Sequence, residues 1–147
     1  DAVAKVEEHI ADALAKGAQV LTGGKRHALG GLFFEPTVLA GVTTSMQVTR
    51  EETFGPVAAV VRAVDANDAV GLANQSRFGL GASIWTINEQ KAMEIAGKVE
   101  AGGIFINSIV KSDPRMPFGG VKKSGIGREL SKYGLKEFVN VKGINVY

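Results

Sequence analysis

A short apolar run at residues 57–61 places the strongest constraint on what this chain can fold into. The sequence Val57-Ala58-Ala59-Val60-Val61 is short, rich in β-branched residues and unbroken, which is typical of a strand buried on both faces. Gly55-Pro56 stands directly before it and fixes where the strand can begin, because this pair is a turn signal. Ligand groups of open α/β sheets usually lie at strand ends, so the residues just before this strand are candidates for a binding site.

Helical and strand patterns alternate along most of the chain. Apolar residues at helical spacing predict an amphipathic helix at 3–15, and Asp65 and Asn88 are typical N-caps for two further helices. A last, weaker helix is predicted at 128–138. Strands are predicted at 19–22, 33–39, 57–64, 82–86 and 104–106. This order predicts an α/β fold with an open, largely parallel sheet and helices on both faces.

Composition excludes several classes of function. The chain has 147 residues, which suits one domain, and its net charge of +2 is too small to indicate nucleic acid or a membrane surface as partner. Cysteine is absent, which excludes disulfides, cysteine metal sites and a cysteine nucleophile within these residues. His9 and His27 have no companions at ligand spacing, so no metal site is predicted, and His9 is expected to be a solvated surface residue.

Two segments without regular periodicity invite a functional interpretation. Residues 107–128 form a predicted loop of about twenty residues, and loops of that length in compact domains are usually functional. Residues 139–147 alternate apolar and other residues, which predicts a terminal strand. That strand either pairs with another chain or completes the sheet of its own chain, and the pattern leaves both open.

The segment Glu51-Glu52-Thr53-Phe54-Gly55-Pro56 combines groups that can bind a nucleotide. A carboxylate here can accept hydrogen bonds from two sugar hydroxyls, and a phenylalanine two residues later can lie against a flat ring. The alternative is a turn that leads into the strand and carries two solvated glutamates.

This segment resembles the E-E-x-F-G-P sequence of the NAD(P)-dependent aldehyde dehydrogenase family. Residues 117–129, Pro-Phe-Gly-Gly-Val-Lys-Lys-Ser-Gly-Ile-Gly-Arg-Glu, resemble that family's P-F-G-G-x-K-x-S-G-x-G-R-E sequence. The resemblance extends over essentially all 147 residues. The residues around 107–115 and 131–135 look most like the succinate-semialdehyde dehydrogenase branch.

The resemblance implies an oxidoreductase that converts an aldehyde to an acid, with NAD or NADP as coenzyme. In the family, a cysteine thiolate attacks the aldehyde, hydride leaves to the nicotinamide, and a glutamate activates water to hydrolyse the thioester. By position, Glu52 would bind the hydroxyls of the nicotinamide-side ribose and Phe54 would pack near the nicotinamide. Ser112 would bind the far carboxylate of a semialdehyde, and Phe118 would line the aldehyde tunnel. The alternatives to these substrate-binding roles are that Ser112 belongs to a solvated polar loop and that Phe118 packs in the core. Lys122-Lys123 is expected to be surface charge.

The family's nucleophilic cysteine, water-activating glutamate and dinucleotide-binding half have no counterpart among these residues. The resemblance therefore implies a fragment: residues 1–138 as the C-terminal portion of the catalytic domain and 139–147 as an oligomerisation strand. No catalytic residue is assigned, and the fragment alone is expected to be inactive. The complete enzyme is expected to be a cytoplasmic homodimer or homotetramer, with Glu52 and Phe118 on one crevice. The alternatives are a dehydrogenase of another small aldehyde and a free-standing assembly or binding module.

Overall fold

Helices and strands alternate along the chain in the computed structural model, which describes residues 2–147. The chain divides into two compact units, residues 1–72 and 73–147. The helices are α1 (Ala2–Ala15), α2 (Gln47–Arg50), α3 (Ala66–Asn74), α4 (Glu89–Ala96) and α5 (Ser131–Lys136). The strands are β1 (Gln19–Thr22), β2 (Thr37–Val42), β3 (Val57–Val61), β4 (Phe78–Gly79), β5 (Gly81–Ile84), β6 (Gly103–Ile106) and β7 (Val121–Lys122).

The first unit packs the apolar face of α1 against a three-stranded sheet. The sheet has the order β1-β2-β3, so β2 is the central strand. β2 pairs with β1 in antiparallel orientation and with β3 in parallel orientation. Leu39 of β2 and Met46 are fully buried, and both belong to the same cluster as the inner residues of α1. The residues that α1 buries are Val3, Val6, His9, Ile10 and Ala13. This face is the one predicted from the helical spacing of its apolar residues.

Two strands of the first unit differ from their predictions. The expectation that β3 is buried on both faces is wrong, because β3 is the edge of its sheet and Val60 is 51% exposed. The second strand begins at Thr37 instead of residue 33. Pro36 has no N–H to donate to a ladder, and the first backbone bond to the segment before β3 runs from the Thr37 N–H to the Pro56 carbonyl at 2.8 Å.

The second unit contains two separate strand pairs. β5 and β6 are parallel and β4 and β7 are antiparallel. The side chain of Asn107 extends the β5–β6 pair by one step. Its amide accepts from the Thr86 N–H and donates to the Thr86 carbonyl, both at 2.9 Å. Asn107 has φ +52°, a conformation that asparagine tolerates better than most residues.

Both predicted helix caps are present. The Asp65 carboxylate accepts from the Asp68 N–H at 2.9 Å, and the Asn88 side chain accepts from the Lys91 N–H at 2.9 Å. Each bond satisfies one of the free N–H groups of a helix N-terminus, which is why α3 and α4 begin where the sequence predicts.

The α/β class is confirmed, and the sheets are small and open. Within residues 2–147 the strands form three sheets instead of one, with two parallel and two antiparallel strand pairs. The last helix, α5, is shorter than the predicted 128–138. Residues 139–147 are exposed and pair with no strand within residues 2–147, so the pairing arm stays a prediction. None of the helices described is long and apolar enough to cross a lipid bilayer.

Replacing Gly102 with alanine should destabilise the second unit through backbone overlap. A Cβ at this position would overlap the carbonyl oxygen of Gly119, and backbone cannot move aside as a flexible side chain can. We expect a loss of about 2–3 kcal/mol in the free energy of unfolding, measured by urea denaturation. Gly97→Ala is the control, because its Cβ would meet nothing closer than 3.8 Å. Equal stability of the two variants would contradict the close approach.

Candidate functional site

The segment 51–55 exposes the side chains of Glu51, Glu52 and Phe54 at the start of β3. The Glu52 carboxylate is exposed and makes no hydrogen bond or ion pair with any residue between 2 and 147. The Phe54 ring is 81% exposed. A free carboxylate and an uncovered aromatic ring two residues apart are the groups that the sequence assigns to nucleotide binding. Their exposure leaves both able to contact a ligand.

Helix α1 holds the backbone of this segment in place. Lys5 donates from its ammonium group to the Glu52 carbonyl. Gly55 lies so close to Val6 that an added Cβ would overlap the Cγ2 atom of Val6. Glycine at position 55 therefore lets the segment pack closely on the helix, because a larger residue would push the buried Val6 side chain aside.

His9 is a third contact between α1 and this segment. The side chain is buried, with 1% of its surface exposed, and its Nδ1 atom lies 2.9 Å from Oγ1 of Thr53. The expectation of a solvated surface histidine is wrong. His9 lies on the same helix face as Val6 and Ala13, three residues before and four after it, and this spacing was the signal in the sequence.

Phe54 has an unusual backbone conformation. Its φ is +51°, in the left-handed region that residues other than glycine seldom adopt. Such a conformation costs on the order of 1 kcal/mol or more and persists only where surrounding contacts impose it. The contacts of α1 with residues 52, 53 and 55 surround this position and supply that restraint.

The second segment, residues 117–129, folds back on itself. Phe118 and Glu129 exchange backbone hydrogen bonds of 2.9 and 2.8 Å in an isolated antiparallel bridge. The Arg128 guanidinium donates to the carbonyls of Gly120 and Gly127 at 2.9 and 2.6 Å, inside the loop so formed. This part of the predicted irregular loop is therefore a closed, internally bonded turn.

Lys122 is exposed, as expected of surface charge, and it also bonds to other parts of the second unit. The ammonium group donates to the carbonyls of Asn74, at the end of α3, and Ser76 at 2.8 and 3.0 Å, and it lies 2.7 Å from the Glu100 carboxylate. Cations stabilise the free carbonyls of a helix C-terminus in this way. No local pattern in the sequence indicates these bonds, because the partners lie more than twenty residues away. Lys123 is exposed, as expected.

A cavity of about 440 Å³ lies beside Phe118 in the second unit. It is lined by β6 and by residues between Ser108 and Phe118, including Lys111 and Asp113. Phe118 is half-buried and forms part of the wall of this cavity. Ser112 is exposed and is not among the lining residues, although both of its neighbours are.

Of the charged side chains beside this cavity, Asp113 is in an ion pair within the described part of the chain and Lys111 is not. Arg115 donates to both carboxylate oxygens of Asp113, at 3.0 and 2.6 Å, and these bonds hold the pKa of Asp113 far below its usual range. Asp113 is therefore ionised and its charge is matched by Arg115 at neutral pH. Lys111 makes no hydrogen bond or ion pair within residues 2–147, which leaves its ammonium group available to an anion.

The site residues predicted from sequence fall into two sets. Glu52 and Phe54 belong to the first unit, and Ser112 and Phe118 to the second. The shared crevice stays a prediction. No cluster of three or more His, Cys, Asp or Glu side chains in residues 2–147 is placed to hold a metal ion.

Comparisons with known proteins agree on one family. The aldehyde dehydrogenase family model matches residues 1–144. The chain is 50% identical to the Escherichia coli (strain K12) succinate semialdehyde dehydrogenase Sad, whose name gives NAD(P)+ as coenzyme, over 95% of this chain and 30% of that protein. It is 46% identical to the 3-sulfolactaldehyde dehydrogenase of Pseudomonas putida, over 97% of this chain and 29% of that protein.

A solved structure gives the same result. The crystal structure of succinate-semialdehyde dehydrogenase from Burkholderia pseudomallei superposes with a TM-score of 0.89 at 52% identity, over 93% of this chain and 28% of that one. The chain thus spans about 30% of the length of the curated relatives that it matches.

Replacing Lys122 with methionine should destabilise the second unit, because methionine keeps the length of the side chain and removes the charge and all three donors. Two backbone carbonyls and Glu100 would lose their partner, and we expect a loss of about 1–3 kcal/mol in the free energy of unfolding, measured by urea denaturation. Lys123→Met is the matched control, since that exposed side chain bonds nothing in residues 2–147. Equal effects of the two substitutions would show that Lys122 has no structural role beyond that of a surface charge.

Proposed function

We propose a function from the premise that the chain belongs to the aldehyde dehydrogenase family. In this proposal the chain is the C-terminal portion of an NAD(P)-dependent enzyme that oxidises a small anionic aldehyde to the acid. Succinate semialdehyde is the first candidate. The observation that carries the proposal is the free Glu52 carboxylate beside the exposed Phe54 ring, on a segment that α1 fixes in place.

Glu52 and Phe54 are proposed to bind the coenzyme. The Glu52 carboxylate has its full acceptor capacity free, which suits a pair of ribose hydroxyls, and the uncovered Phe54 ring suits packing against the nicotinamide. When bound, the coenzyme supplies the acceptor for the hydride that leaves the aldehyde carbon. The part of these two residues is to bind and orient it.

Ser112 and Phe118 are proposed to bind the substrate. The two relatives described act, by their names, on aldehydes with an anionic end, a carboxylate in one and a sulfonate in the other. The Ser112 hydroxyl is exposed and can donate to such a group, and the neighbouring Lys111 adds a free positive charge. Phe118, in the wall of the cavity, would pack against the carbon chain of the aldehyde.

The chemical steps at the aldehyde carbon need groups that these 147 residues do not supply. With no cysteine in the chain, there is no thiol to form a thioester, and neither Glu51 nor Glu52 would have one to hydrolyse. We therefore assign no catalytic residue here and expect the 147-residue chain alone to be inactive. We further propose that the complete enzyme is a cytoplasmic homodimer or homotetramer whose subunits pair through residues 139–147.

Replacing Glu52 with glutamine in the complete enzyme should weaken coenzyme binding. The amide keeps the size of the side chain but loses the charge that strengthens hydrogen bonds from the ribose hydroxyls, so we expect a rise of about tenfold in the Kd for NADH or NADPH. Binding is measured by the fluorescence of the reduced coenzyme. Glu8→Gln is the matched control, because Glu8 is an exposed glutamate of the same unit, and an equal or larger rise there would remove Glu52 from the coenzyme site.

Replacing Ser112 with alanine in the complete enzyme should lower its preference for anionic aldehydes. We expect kcat/KM for succinate semialdehyde to fall about tenfold relative to that for butanal, because only the first substrate has a carboxylate to accept a hydrogen bond from the hydroxyl. Ser108→Ala is the control, since Ser108 is a second serine of the same loop and, unlike Ser112, lines the cavity. An unchanged ratio would show that Ser112 does not recognise the anion. A wild-type enzyme without aldehyde oxidation would contradict the proposed function as a whole.

A further inference from the structure

We infer that His9 is a positioning residue for the coenzyme site, acting through Thr53. The inference rests on the proposed function, because the site that His9 positions is the one formed by Glu52 and Phe54. His9 lies within hydrogen-bond distance of Thr53, the residue between them.

The geometry ties the ring of His9 to the segment at two points. Nδ1 lies 2.9 Å from the Thr53 hydroxyl, and Nε2 lies 3.8 Å from the Glu51 carboxylate. With the ring proton on Nε2, on the side of the carboxylate, Nδ1 accepts from the Thr53 hydroxyl. The ring lies on the buried face of α1, so its nitrogen atoms have little access to water. The bond to Thr53 satisfies one of the two nitrogens.

The bond matters because of where Thr53 lies. Thr53 is half-buried, whereas Glu52 and Phe54 on either side are exposed, so fixing Thr53 inward directs its two neighbours outward. The left-handed φ of Phe54 makes this orientation unfavourable for a free loop, and an external restraint is needed to maintain it. Lys5 restrains Glu52 through its carbonyl, and His9 restrains the next residue. Loss of the His9 bond should release the coenzyme-binding side chains without touching the aldehyde site.

The test uses substitutions that separate the two ring nitrogens. His9→Asn keeps an acceptor near the Nδ1 position and should preserve the bond to Thr53, whereas His9→Leu keeps bulk and removes both nitrogens. Thr53→Val removes the hydroxyl from the other side of the bond with little change in shape. His27→Leu is the control, because His27 is the other histidine of the same unit and is exposed.

The measurements are made on the complete enzyme: the Kd for reduced coenzyme by fluorescence, KM for coenzyme and for aldehyde separately, and the thermal midpoint. We expect His9→Leu and Thr53→Val each to raise the coenzyme Kd by about 3–10-fold, the effect of losing one hydrogen bond. The aldehyde KM should stay near the wild-type value. The double variant should be no worse than either single one, since both remove the same bond, and His9→Asn should bind coenzyme like the wild type.

Three results would overturn the inference while leaving the proposed function intact. These are an unchanged coenzyme Kd in Thr53→Val, an aldehyde KM that rises as much as the coenzyme Kd, and a failure of His9→Asn to restore binding. If His9→Leu does not fold, Thr53→Val and His9→Asn carry the same comparison. A wild-type enzyme that binds no coenzyme would overturn the proposed function and this inference together.

Discussion

The packing of helix α1 against residues 51–55 is the contact on which the proposed coenzyme site depends. Three successive parts of the segment are held from the same helix face: the Glu52 carbonyl by Lys5, the Thr53 hydroxyl by His9, and the Gly55 backbone by close approach to Val6. These contacts engage backbone and one inward side chain, and they leave the Glu52 and Phe54 side chains free. A binding site beside β3 needs this support, because β2 alone pairs with β3 within residues 2–147.

The segment 117–129 divides into a part that faces a cavity and a part that holds the loop closed. Phe118 lines the cavity, whereas Lys122 and Arg128 bond to backbone carbonyls, and the Ser124 hydroxyl accepts from the Gly79 N–H at 2.9 Å. Charged and hydroxyl residues in a glycine-rich loop suggest ligand binding when read from sequence. Here they supply the donors and acceptors that a tightly folded loop requires for its own backbone.

Local signals in the sequence predicted the local structure well. The apolar spacing of α1 and the caps Asp65 and Asn88 were confirmed, because each depends on residues within one or two helical turns. The burial of His9 and the bonds of Lys122 were missed because their partners are distant: Thr53 lies 44 residues from His9, and the carbonyls that Lys122 binds lie 46 and 48 residues away. The prediction that β3 is buried on both faces was wrong for a similar reason. The composition of β3 is typical of a buried strand, but its burial depends on the neighbours that the rest of the sheet provides.

The most direct test of this account is a crystal structure of the complete enzyme with NADH or NADPH bound. The account predicts that the Glu52 carboxylate accepts hydrogen bonds from the two ribose hydroxyls next to the nicotinamide, with Phe54 against the nicotinamide and the His9–Thr53 bond intact. It also predicts that Phe118 lies in the same crevice, on the side of the aldehyde. A coenzyme bound elsewhere, with Glu52 still in solvent and no contact to Phe54, would contradict the central claim.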